Sequence, residues 1–290
     1  MPDLSIRTTC QLHEVLEGLY RRYNRFELIE PDPLQFVYRY SETRDMEIAG
    51  FLAAALAYGR VHQIERSVDN LLSRMGDNPF EFVLNFNNSD RKKLNGFKHR
   101  FNTADDICEL LSILRDVLRR YGSIEAGFAA HFEPGDNNII SALSHFVAEL
   151  LDRYKKNTGT AASKGLMYLL SNPANGSPCK RLNLFLRWMV RNDDVDTGLW
   201  TSIDKSKLIV PVDTHMARLC RILDLYNRKT VSLATALEIT RGFAQFESAD
   251  PVKYDFALSR IGIVEDCNGR YRPKCEDCEL LEFCKRRESF

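Results

Sequence analysis

The chain is 290 residues long, enough for two compact domains or one large one, and is 44% hydrophobic and 28% charged. That balance fits a folded globular protein and excludes a largely disordered or collagen-like chain. Forty Lys and Arg residues offset forty Asp and Glu, so net charge points to no partner and any electrostatic signal must be local. No apolar run approaches the ~18 residues that span a bilayer, and the opening MPDLSIRTTCQLHE has neither a basic leader nor a hydrophobic signal core. The expectation is a cytoplasmic protein with no membrane partner.

In chain order the apolar periodicity is helical almost throughout. Leu12, Val15, Leu16 and Leu19 recur at helical spacing. From Glu47, EIAGFLAAALAYGRVHQIERSVDNLL begins with an apolar half suited to burial on most sides and continues as an amphipathic helix. ADDICELLSILRDVLRRY follows from Ala104 with Thr103 as its N-cap, then NNIISALSHFVAELLDRY from Asn137. KRLNLFLRWMV, THMARLCRIL, SLATALEITRGFAQF and PVKYDFALSRIGI complete the series, and no convincing run of alternating strand residues interrupts it. The fold class predicted is all-α, a globular packing of short and medium helices. Breaks fall at Glu30–Gln35, Gly76–Pro79, Glu133–Asn137, Asn157–Thr160, Ser171–Pro178 and the polar stretch Asn192–Trp200.

One local charge signal sits mid-chain. Between Arg153 and Asn192 there is no Asp or Glu, while Arg153, Lys155, Lys156, Lys164, Lys180, Arg181, Arg187 and Arg191 are basic, which makes the segment a candidate polyanion surface or a chance cluster on a solvated face. A second signal closes the chain. Cys267, Cys275, Cys278 and Cys284 fall in the last 24 residues with spacing C-x7-C-x2-C-x5-C, whereas Cys10, Cys108, Cys179 and Cys220 are scattered. A thiolate cage around one metal centre explains the clustering, since C-x2-C lets two sulfurs reach one centre from a tight turn. Spacing alone leaves zinc and an iron–sulfur cluster both open. Arg270, Arg272 and Lys274 lie in the first loop of this cage, and Lys285, Arg286 and Arg287 follow its last cysteine; held rigid, the loop suits a phosphate backbone, or is simply a solvated turn.

Three features then appear in order: GSPCKRLN, PVDTHMARLCRIL and the four-cysteine tail. This order resembles the endonuclease III branch of the helix-hairpin-helix DNA glycosylases. As a whole the chain is similar to an uncharacterised family of conserved bacterial proteins, a domain-of-unknown-function group distantly related to those enzymes. The motif match covers roughly residues 170–290. The resemblance implies two packed helical domains, one of residues 1–30 plus 205–290 bearing a [4Fe–4S] cluster on Cys267, Cys275, Cys278 and Cys284 (zinc being the alternative), the other of residues 31–204 ending in the hairpin. It implies a monomeric base-excision repair enzyme on double-stranded DNA that flips a damaged or mismatched base. Lys180 falls on the nucleophile that attacks C1′, with or without a following AP-lyase step, and Asp213 on the assisting carboxylate. Gly176, Ser177 and Arg181 fall on the hairpin that meets DNA, Arg270, Arg272 and Lys274 on the cluster loop, and Tyr58 and Arg60 on the segment that fills the gap left by an extruded base.

The residues support that chemistry on their own terms. A helix start and neighbouring cations favour the neutral amine that forms a Schiff base, although Lys180 serves equally as a phosphate ligand. Asp213 suits either stabilisation of oxocarbenium-like charge or a helix N-cap, and Tyr58 either stacking or packing at a helix end. The alternative reading is a catalytically inactive iron–sulfur protein that binds nucleic acid with the same fold. Two departures favour it: the family's L-P-G-V-G-x-K hairpin becomes Ala174-Asn175-Gly176-Ser177-Pro178-Cys179-Lys180, and the 32 residues between Lys180 and Asp213 include an apparent insertion over 192–208. Ser177 as N-cap and Pro178 at the first helical position read as a helix start, and Trp188 reads as core.

Overall fold

A computed structural model describes residues 6–264, 267 and 270–284. Lys285, Arg286 and Arg287 lie outside the described residues. Among these there are twelve α-helices and one two-stranded antiparallel hairpin, so the fold is all-α as the periodicity predicts. No helix among the described residues is long and apolar enough to cross a membrane.

The first half contains α1 (Ile6–Tyr23), α2 (Thr43–Ala55), α3 (Val61–Met75), α4 (Pro79–Leu84), α5 (Ala104–Tyr121), α6 (Ile124–Ala129) and α7 (Ile140–Thr158). α8 (Lys164–Leu169), α9 (Lys180–Val190), α10 (Thr214–Ile222), α11 (Leu233–Ala244) and α12 (Asp255–Val264) follow. α5 starts where Asp106 turns back to accept from the Thr103 amide at 2.9 Å, and ends at Gly122 in the left-handed conformation. Its apolar row Ile107, Leu110, Leu111, Leu114 and Leu118 is buried.

The run from Glu47 is not one continuous helix. α2 ends at Ala55, and Gly59, at φ +104°, turns the chain into α3. α2 is buried on nearly every face, and Gly50 is why it fits: a Cβ there would lie 3.0 Å from the Met189 side chain of α9. From its first turns Glu47 accepts from the Ile124 and Glu125 amides and from the Trp200 indole, at 2.8 to 2.9 Å, which caps α6 and fixes the indole in the core. Trp188 is fully buried, as expected.

α1 packs on α12. Glu17 accepts from Lys253 Nζ at 2.6 Å and from the Tyr254 hydroxyl, and Arg260 donates to the Glu30 carbonyl at 3.1 Å. Buried apolar side chains from Leu12 to Leu280 form one continuous cluster.

Three expectations need correction. The strands are Lys98–His99 (β1) and Asn102–Thr103 (β2), too short for any alternating pattern to betray them. The polar stretch after Asn192 is no solvated break, because Val195, Asp196 and Trp200 are buried. The acid-free segment is no continuous basic face. Arg181, Arg187 and Arg191 are 7%, 1% and 2% exposed, and Arg153 is bound to Glu149.

Arg187 and Arg191, one turn apart on α9, instead enter a buried ion network. Arg187 contacts Asp196 at 3.2 Å and also Asp255, while Arg191 binds Asp250 at 3.0 Å, Asp193 at 2.8 Å and Asp196. Burial opposes the Arg187 charge, but Asp196 and Asp255 outweigh it and hold the guanidinium ionised. Burial raises the Asp255 carboxyl to about 6 against the pull of Arg187.

Removing one carboxylate leaves buried cations underpaired, so Asp196→Ala is expected to cost ~3–5 kcal/mol in urea unfolding with an unchanged slope. Asp255 also gives a pH signature. The native chain holds a proton on Asp255 up to about pH 6, whereas the unfolded chain releases it near the ordinary value of 3.8. This contribution to stability is therefore full below about pH 4 and is lost as pH rises through 6. The stability gap between wild type and Asp255→Asn should narrow across that window; a pH-independent gap would refute the assignment.

Candidate functional site

The break between α2 and α3 lies beside the β-hairpin and the start of α9. At its centre the Tyr58 ring packs edge-on to His99 at 4.5 Å and to Tyr168 at 5.0 Å, and lies tilted to Phe101 at 5.6 Å. Its hydroxyl meets the Asn102 side-chain oxygen and the His99 carbonyl. Burial, above all, raises the phenol pKa, so Tyr58 stays neutral. His99 has no exposed surface, bonds Ser67 at 2.8 Å and the Tyr58 carbonyl at 3.0 Å, and burial lowers its pKa, keeping it uncharged.

Asp106 holds the hairpin down. Its carboxylate takes the Thr103 amide, the Asn102 side-chain amide at 3.2 Å and Ser163 Oγ at 2.6 Å, joining β2, α5 and the N-cap of α8. Gly165 makes that approach possible, since a Cβ there would sit 2.3 Å from the carboxylate oxygens.

Lys180 is the first residue of α9, and its Nζ donates to the Ala57 carbonyl at 3.1 Å. Arg181 is buried beside it. Its guanidinium lies 4.0 Å from the Tyr168 ring centroid and 5.1 Å from that of Tyr58, it bonds the Tyr168 carbonyl, and Nη1 is buried without a partner. Burial lowers the Arg181 pKa.

The start of α9 differs from the expected Ser177–Pro178 cap. The helix begins only at Lys180, and its N-cap is Cys179, a left-handed residue at φ +46°. Cys179 is buried and its Sγ donates to the Ser171 carbonyl at 3.2 Å, so packing fixes a conformation that Ser177 would otherwise have set. Ser177 Oγ accepts from the Cys179 amide at 3.2 Å, and exposed Gly176 accepts from the Leu233 amide at 2.9 Å, which seats the loop on α11.

Asp213 is the N-cap of α10 and accepts from the Met216 amide at 2.8 Å. No hydrogen bond or ion pair joins it to Lys180 among the described residues. Arg60, exposed, borders an open groove of about 870 Å³ with Arg66, Arg74 and Lys98; the groove's one carboxylate, Asp69, is bound to Arg39 at 2.6 Å. No carboxylate is ion-paired to these four or to Arg100 among the described residues. Arg100 crosses Gly59, where a Cβ would lie 3.0 Å from its side chain.

Cys267, Cys275, Cys278 and Cys284, not joined by disulfides among the described residues, line one small cavity with Leu219, Ile222, Ile261 and Leu280. Burial, then the other three cysteines, raise the Cys278 thiol. The Arg272 amide donates to Cys275 Sγ at 3.4 Å, and Arg218 donates to the Cys267 carbonyl at 3.0 Å. No three of the sulfurs converge on a single-ion position among the described residues. Arg270, Arg272 and Lys274 border an adjoining cavity that also touches Arg22 and Tyr23 of α1.

Sequence reasoning missed His99, Arg100, Phe101, Asn102, Asp106 and Tyr168. No motif marks them, because they come together through a six-residue hairpin (98–103), the first turn of α5 and the six-residue α8.

A family model described as "Protein of unknown function (DUF2400)" matches residues 32–264. Comparison with the curated proteins and with the solved structures gives no match.

Gly165→Ala is expected to push α8 off Asp106 and lower stability by ~1–3 kcal/mol. Thermal unfolding checks it, and an unchanged midpoint would show that the approach of Asp106 is not needed.

Proposed function

The chain belongs to the DUF2400 family, proteins of unknown function, and from that premise and the geometry above we propose that it is a DNA repair glycosylase of helix-hairpin-helix type. Its substrate is a damaged or mismatched nucleotide flipped from duplex DNA. The observation that carries this reading is the meeting of two segments 123 residues apart: Lys180 bonds the carbonyl of Ala57, and Arg181 stacks on Tyr58. The hairpin-like loop and the gap-filling segment thus form one surface, with the cationic groove of Arg60 beside it.

On that surface Lys180 Nζ bonds to C1′ as the C1′–base bond breaks. The electron pair leaves with the base, which takes up a proton; the N,O-acetal left at C1′ then opens as the C1′–O4′ bond breaks, O4′ takes a proton to become the C4′ hydroxyl, and a protonated imine remains on Nζ. Asp213 is the carboxylate proposed to balance the positive charge that develops. Loss of the C2′ proton then expels the C3′ phosphate in a β-elimination.

The tail thiols suit a [4Fe–4S] cluster. Four sulfurs around an apolar-walled cavity, with an amide on one of them and Arg218 and Arg272 nearby, fit a multi-atom anionic group better than one zinc ion. Cys267, Cys275, Cys278 and Cys284 would hold it, and such a cluster contributes rigidity here, with no step of the base chemistry assigned to it.

A second reading, binding without catalysis, draws on one observation: Lys180 and Asp213 are each engaged elsewhere, at Ala57 and at the α10 N-terminus.

Borohydride trapping on duplexes with abasic sites, oxidised bases and mismatches separates the two. The glycosylase–lyase reading expects a covalent adduct that disappears in Lys180→Ala and weakens in Asp213→Asn. Salt-dependent binding with no adduct and no released base would establish the second reading. For the tail, the purified protein should be brown with four irons per chain, and Cys275→Ala should lose both iron and soluble yield. Zinc in a colourless protein would overturn the cluster.

A further inference from the structure

Two of the large hydrophobic side chains exposed to solvent meet at one place, Phe101 at the hairpin tip, 52% exposed, and Tyr168 on α8, 41% exposed, with Met167, 48% exposed, preceding Tyr168 in the chain. Phe101 and Tyr168 meet edge to face, with centroids 4.7 Å apart at 79°. That geometry leaves ring faces available for a further planar group. The cluster is not a loose tip, since Asp106 ties the hairpin to α5 and α8 and Tyr58 closes it from beneath.

Its surroundings are cationic. Arg100 flanks the Tyr58 ring, with its guanidinium 5.8 Å from the centroid, and Lys98 leads from the hairpin into the groove of Arg60 and Arg66. Arg181, 7% exposed, backs Tyr168 from beneath with its guanidinium 4.0 Å from the ring centroid, which leaves the outer side of that ring to solvent. Exposed aromatic rings and an adjoining row of cations complement a planar ring attached to a phosphodiester chain. An apolar protein partner would use the rings and leave the cations unmatched.

We propose that Phe101 and Tyr168 form a stacking platform for one unpaired nucleobase of a DNA strand whose phosphates follow the Arg60–Arg66–Lys98 groove. The inference rests on the DNA reading above and adds a contact surface outside the Lys180 and Asp213 chemistry. Stacking tolerates any base, so the platform selects for the unpaired state and leaves base identity unread.

The test uses the full-length protein with two labelled duplexes, one fully paired and one carrying a single bulged 2-aminopurine. Wild type should bind the bulged duplex more tightly and quench the 2-aminopurine on binding. Phe101→Ala should abolish the quenching and lower affinity for the bulge on the order of 10-fold, close to the affinity for paired DNA. Tyr168→Phe should retain both, because it keeps the ring. Arg60→Ala with Arg66→Ala should weaken both duplexes alike and flatten the salt dependence. Thermal unfolding of Phe101→Ala should match wild type, since the side chain is half in solvent.

Quenching and affinity unchanged in Phe101→Ala would overturn the platform while leaving DNA binding intact. A wild type with no salt-dependent affinity for either duplex would overturn the DNA reading and the platform with it. Concentration-dependent association of wild type, lost in Phe101→Ala and without quenching, would assign the patch to protein contact.

Discussion

Two arginines one turn apart at the C-terminal end of α9, Arg187 in its last turn and Arg191 at its C-cap, hold the molecule in register. Arg187 and Arg191 enter the interior with their charges, and each must be met by carboxylates supplied from elsewhere in the chain. Asp193 and Asp196 come from the loop after α9, Asp250 from the approach to α12 and Asp255 from the first residue of α12. A helix surrounded this way has little freedom to slide or rotate, because a shift by one residue would strand a guanidinium in apolar surroundings. Lys180 and Arg181, two turns up the same helix, inherit that fixed orientation. The surface they build with Tyr58 therefore depends on charges at the far end of α9.

The opposite wall of that surface is organised around one carboxylate. Asp106 accepts three hydrogen bonds from two segments, β2 and the N-cap of α8, and Gly165 has no side chain because the carboxylate occupies the space. Around it Tyr58, His99 and Asn102 satisfy one another's polar groups, leaving Phe101 and Tyr168 outward. The inner polar network explains how aromatic rings are presented to solvent on a rigid base.

Much of the architecture was legible in the sequence because helices longer than two turns write a 3.6-residue period into it. α5, α7, α9 and α11 are plain in their apolar rows, and Trp188 falls where its flanking leucines place it. That the four tail cysteines come to one cavity was legible from their spacing. What escaped depends on side chains that change meaning with context. Arg187 and Arg191 look like a basic face until Asp196 and Asp255 are brought to them. Ser177 and Pro178 look like a helix start until a buried Cys179 takes the cap in a left-handed conformation. The aromatic cluster has no period, since two-residue strands carry none, and Asp213 identified itself only as a cap.

The contact between the first helix and the last has a consequence for biosynthesis. Glu17 is matched by Lys253 and Tyr254, 236 and 237 residues downstream, and Glu30 by Arg260. A chain emerging from the ribosome therefore makes the apolar face of α1 long before its cover exists, and closing so large a loop is slow compared with forming local helices. During that interval Leu12, Leu16 and Leu19 face water or a chaperone. Truncation near residue 250 would release a chain in which α1 lacks Lys253, Tyr254 and the α12 face it packs on, so two segments more than 230 residues apart act as one unit of quality control.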